Sequence, residues 1–159
     1  MNQGETTMMK RIGLAAAVLA CMSVPAVAQE HWSEGPVWEC SAYRSNPGMF
    51  DTYMEYVRKH ATAINAEAKK QGLILDFKTF VKAPADPNDW DFMTCTAYES
   101  FGRALDFNQG DEEKFDAIAA KHWATADEDK QQQLSSPRLE MRKFIGTTHM
   151  REVNLRPIG

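Results

Sequence analysis

The stretch Trp90–Tyr98, WDFMTCTAY, alternates in the way a half-buried strand does. Met93, Cys95 and Ala97 fall on one face; Phe92, Thr94, Thr96 and Tyr98 fall on the other. Helical patterns lie on both sides of it, so the fold depends on the order of elements around this strand.

Upstream, Phe50, Tyr53, Met54, Val57, Ala61, Ile64 and Ala68 form one apolar stripe at the helical period. Glu55, Arg58, Lys59, Asn65, Glu67 and Lys69 read as its solvated face, and His60, between charged neighbours, reads as solvated too. Lys69 and Lys70 complement the dipole at the helix end, and Gly72 is the natural stop. Ahead of the helix, Val37–Tyr43 (VWECSAY) reads as a first strand, followed by the turn Asn46-Pro47-Gly48. Between the helix and the opening stretch, Leu73–Lys82 reads as a second strand, with Leu73, Leu75, Phe77, Thr79 and Val81 on one face. Ala83–Asp89, rich in proline and aspartate, is a hairpin loop.

Downstream, Phe101, Ala104 and Leu105 begin a helical pattern that Asn108-Gln109-Gly110 interrupts. Asp111, Glu112 and Glu113 then place negative charge at a helix N-terminus, and Phe115, Ile118, Ala119 and His122 or Trp123 supply its apolar side. Ala126–Leu134 reads as a polar continuation, ending before Ser135-Ser136-Pro137. A last strand lies within Met141–Leu155, where Gly146 signals a bulge.

The resulting order, β-α-β-β-α-β, predicts an α+β fold: a ferredoxin-like plait with a four-stranded antiparallel sheet and two helices on one face. A right-handed crossover places the third strand between the first and the second. Cys40 then lies on a strand adjacent to that of Cys95. Both belong to the small, apolar faces, which are expected to look at the helices. A Cys40–Cys95 disulfide and a pair of buried thiols both fit this arrangement, because the register is not fixed by pattern alone.

The N-terminus reads as an export signal. Lys10 and Arg11 precede the apolar run Ile12–Ala20, and Ala26-Val27-Ala28 forms a cleavage triplet. The run is shorter than the roughly 20 residues a membrane span requires. Cleavage after Ala28 leaves residues 29–159 as a single domain, secreted or periplasmic, in a compartment that permits disulfides. A rival reading takes Val18-Leu19-Ala20-Cys21 as a loose lipobox, with Cys21 lipidated. Removing Lys10, Arg11 and Glu5 leaves 16 basic and 21 acidic residues, a balance of −5. That acidity argues against nucleic-acid partners, which require basic patches. No Cys/His spacing suits zinc, and neither metal nor cofactor is expected.

The β-α-β-β-α-β order, the Asn46-Pro47-Gly48-Met49-Phe50 lead into the first helix and an aromatic uncovered sheet face resemble the dimeric α/β-barrel superfamily. The resemblance implies a homodimer packed sheet to sheet. Its inter-sheet cavity would be lined by Ser41, Phe92, Thr94, Thr96 and Tyr98 and would take a small aromatic or apolar molecule. Members include cofactor-independent monooxygenases and isomerases as well as proteins of no known activity, and no local motif selects among them. His149, approaching Glu39 or Tyr43 across the sheet, is the candidate acid–base group. The expectations are thus a binding protein, a small cofactor-independent oxidoreductase or isomerase using that cavity, or a structural dimer with a filled interior.

Overall fold

A computed structural model describes residues 31–158. The predicted export signal, including Cys21 and the cleavage site after Ala28, lies outside the described residues. The sheet is built from β1 (Trp32–Ser45), β2 (Asp76–Val81), β3 (Phe92–Tyr98) and β4 (Arg142–Leu155). Its order is β2-β3-β1-β4, with every neighbouring pair antiparallel. The opening stretch is therefore an interior strand, between β2 and β1 as its position in the chain predicts.

The predicted stripe folds as one continuous helical run: α1 (Phe50–Tyr56), a π-helical turn (Val57–Ala61) and α2 (Thr62–Lys70). Tyr53, Val57 and Ala68 are its buried members. Gly48 (φ 74°) and Gly72 (φ 72°) occupy left-handed positions at the turn before the run and at its stop, where a Cβ would be strained. After Gly72, Leu73 and Ile74 are buried in the connection, so β2 begins later than the apolar pattern suggests.

The C-terminal half carries more helix than the pattern indicates. Ser100 caps α3 (Phe101–Leu105), and the Asn108 side chain accepts from the Asp111 N–H to cap α4 (Gln109–Trp123). Ala124, at φ 55°, ends α4 in the left-handed region. Residues read as a polar continuation form a separate helix, α5 (Glu128–Ser135), and a further helix, α6 (Pro137–Met141), follows where none was expected. The expectation of two helices is corrected accordingly.

Facing is the larger correction. The expected partners do share faces: Glu39↔Thr96, Ser41↔Thr94 and Tyr43↔Phe92 on one, Cys40↔Cys95 and Ala42↔Met93 on the other. But the helices cover the first face. Phe92 is fully buried against Tyr53 and Val57, and Tyr98 packs with Ala68, Leu73 and Ile118. Cys40 and Cys95 lie on the face without helices, with their sulfurs bonded at 2.02 Å. Long neighbouring side chains cover them. Trp38 donates to Glu152 at 2.7 Å, and the Lys78 ammonium lies 4.6 Å from the Trp38 ring centroid.

A polar-versus-apolar count misleads here because the helices do not close down on the whole sheet. The middle of the helix-covered face borders a cavity, where serine and threonine hydroxyls keep room for solvent or ligand. A face can therefore be covered and still carry polar groups.

Candidate functional site

The floor of the cavity is the central part of β1 and β3. Cross-strand pairing sets Glu39 beside Thr96 and Ser41 beside Thr94. On the other side of β1, Glu39 faces His149 and Ser41 faces Thr147. The Ser41 and Thr147 hydroxyls are 2.8 Å apart, and His149 Nε2 lies 3.4 Å from Glu39 Oε2. The expected His149–Glu39 pair thus forms, with both side chains partly exposed. Tyr98 is next to Glu39 on this face. Burial, with the Glu39 charge as a lesser cause, pushes its phenol up to about 12.

The roof comes from the helical run. The π turn holds its extra residue by a bond from the Thr62 N–H to the Val57 carbonyl, five residues back. Such turns interrupt regular helices and are frequent at functional sites. This one presents His60 to the cavity. His60 stacks on Trp123 (centroids 4.6 Å apart, planes at 20°) and lies 4.6 Å from the Tyr56 ring. Its Nδ1 is 2.9 Å from His122 Nε2, so one ring donates and the other accepts. Burial first, then His122 and Lys59, hold the His60 pKa below its ordinary value.

At the other end the β1 floor reaches Tyr43. A bulge in the β1–β4 register between Ala42 and Tyr43 brings Phe144 opposite Tyr43, with ring centroids 5.7 Å apart. Arg142, the first residue of β4, lays its guanidinium 3.4 Å over the Tyr43 ring and 5.1 Å from that of Tyr53. Burial raises the Tyr53 phenol to about 12, with Arg142 and, more weakly, Arg138 opposing the rise. Arg142 Nε and Nη1 are buried and have no hydrogen-bond acceptor. A buried donor without an acceptor costs about 1–3 kcal/mol, and more when charged. Cation–π contact offsets part of that cost without supplying an acceptor.

The cavity is open to solvent on one side and has a volume of about 680 Å³, within the range of small-molecule sites. Of the predicted lining residues, Ser41, Thr94 and Thr96 border it; of the candidate acid–base residues, Glu39 and Tyr43 do and His149 does not. Phe92 and Tyr98 do not, since both are in packed core at its margins. This cavity lies within one chain, between sheet and helices.

Sequence reasoning missed His60, Tyr53, Arg138 and Arg142. His60 stands three residues after Val57 and four after Tyr56, so the helical period itself held the signal, masked by adjacent Arg58 and Lys59. Arg142 carried no comparable signal, because its role depends on where β4 starts. Among the described residues, no group of three or more His, Cys, Asp or Glu side chains is placed to hold a metal. Compared with family models, with curated proteins and with solved structures, the chain matches none.

Proposed function

We propose that this chain is an exported protein that binds a small, partly aromatic molecule between its sheet and its helices. The single observation that carries this reading is the cavity of about 680 Å³, which remains open between two packed core clusters and is walled by both aromatic and hydroxyl side chains. We read the β2-β3-β1-β4 order as the ferredoxin-like plait. Export is supported by the N-terminal signal pattern and by the bonded cysteines. Among the described residues no helix is long and apolar enough to cross a membrane.

A homodimer fits this reading, but through the opposite face from the one that holds the ligand. The face bearing the disulfide also carries Trp38, Phe80, Met93 and Met150 around an apolar depression. A second copy packed there leaves each cavity inside its own chain.

One observation favours a second reading, turnover at the margin of this cavity, which Glu39 borders and His149 does not. The Glu39–His149 contact at 3.4 Å is the pair a cofactor-independent oxidoreductase or isomerase would use as base and orienter. Tyr43 does not join it, since its ring is taken up by Arg142 and its aromatic neighbours. The structural-dimer reading requires a filled interior and is disfavoured by the open volume.

The test is a panel of small aromatic compounds titrated calorimetrically against residues 29–159 and against Ala61→Phe. Ala61 lines the cavity from the π turn, and a phenyl group there intrudes into it. The expected result is binding by the parent chain and at least tenfold weaker binding by the variant, with little change in melting temperature. Equal binding by both would place the ligand elsewhere.

A further inference from the structure

We infer that the ligand is an aromatic carboxylate whose carboxylate group is taken by Arg142, seconded by Arg138, at the tyrosine end of the cavity. This rests on the proposed binding function and narrows it to a chemical class.

The first observation is the state of Arg142. Its guanidinium lines the cavity, yet among the described residues neither Arg142 nor Arg138 has a carboxylate partner. Arg142 also lacks acceptors for two buried nitrogens. Tyr43 and Tyr53 contact the cation with their rings, so its charge is accommodated but not neutralised. Nε and Nη1 are themselves shut away from the cavity, but a guanidinium held between rings at the cavity wall without a carboxylate partner is suited to pairing with a carboxylate.

The second observation is where the cavity's own acids stand. Glu39 is four residues before Tyr43 on β1, about 13 Å along an extended strand, and its carboxylate is engaged by His149. Glu128 lies in the first turn of α5, about 10 Å of helix from Ser135, where α5 gives way to α6 and Arg138. The charge in the cavity is thus polarised, with both arginines gathered near Tyr53.

The third observation is the remaining wall. Ile64, Phe77 and Trp123 provide an apolar and aromatic surface away from the arginines. A ligand with a carboxylate at one end and an aromatic ring at the other satisfies both ends together. Salt would weaken it, as for any partly exposed charge pair.

The experiment compares matched probes, phenylacetate with phenylacetamide and 4-hydroxybenzoate with 4-hydroxybenzamide, by calorimetry on the mature chain. Each acid should bind at least tenfold more tightly than its amide. Arg142→Met keeps an unbranched apolar stem and removes the charge; it should weaken the acid and so erase that difference. Arg138→Gln, at a half-buried position of the mostly exposed α6, should reduce the difference severalfold and serves if the Arg142 variant does not fold. Acid and amide binding equally, both sensitive to Ala61→Phe, would overturn the carboxylate assignment and leave the cavity reading standing. Neither probe binding in either pair would overturn both.

Discussion

His60 illustrates how one residue's environment is decided by helix geometry rather than by its neighbours in sequence. Arg58 and Lys59 make the segment look solvated, yet the π turn directs His60 onto Trp123 and His122. Its folded-state pKa lies below the ordinary value of about 6.5, so the fold favours neutral His60. The sign follows. Above about pH 6.5 neither state protonates the ring and stability is complete; as pH falls through the folded pKa, the unfolded chain has already gained a proton and stability is lost. The 2.9 Å contact adds to this, since two protonated imidazoles cannot share it. The melting temperature is therefore expected to fall between pH 7 and pH 5.5, and to fall less in His60→Gln. Glu39 and Glu128, which also border the cavity, are present in both proteins and do not affect the comparison. Parallel losses in parent and variant would show that His60 titrates as it does in solvent.

At the scale of elements, long periodic segments were legible and irregular ones were not. The stripe from Phe50 to Ala68 and the alternation of Phe92–Tyr98 each reflect burial on one side, which repeats often enough to be read. Helices α5 and α6 were not legible as separate elements. Ser135 is their one buried residue, and the break before them depends on left-handed Ala124, where sequence habit favours glycine. The pairing of β1 with β3 was predicted, but its register was not; the register makes Cys40 and Cys95 direct partners. Their bond spans a sequence separation of 55 residues. Constraining a loop of that size removes unfolded-state entropy worth about 4 kcal/mol at most, and commonly 2–4. The double variant Cys40→Ala/Cys95→Ala is expected to unfold at lower urea, with a loss in that range and an unchanged far-ultraviolet spectrum. A loss below about 0.5 kcal/mol would mean that β1 and β3 are already pinned by packing in the unfolded ensemble's stead.

For the molecule as a whole, the residues of each sheet face were assigned together correctly, and the faces were then interchanged. Period-two alternation says which side chains share a face; it does not say which face the crossover helices cover. Here the helices cover the face with hydroxyls and leave Trp38, Phe80, Met93 and Met150 uncovered, with Phe80 and Met150 each 46 % exposed. An apolar sheet face of this kind is a liability unless it is covered. In the proposed homodimer a second copy would cover it, because a two-fold axis through the sheet sets identical apolar patches against each other. Such an interface must bury on the order of 1,200–2,000 Å² to be stable. It would have to include β2, whose edge position brings Phe80 and Val81 into the same depression. Phe80→Asp with Met150→Asp is therefore expected to halve the mass measured by light scattering at micromolar concentration. Ligand binding should be unchanged, because neither residue borders the cavity under the helices. A dimer that survived both substitutions would place the interface on another surface. Loss of ligand binding together with the dimer would instead mean that the cavity is shaped by the partner, as the sheet-to-sheet arrangement first implied.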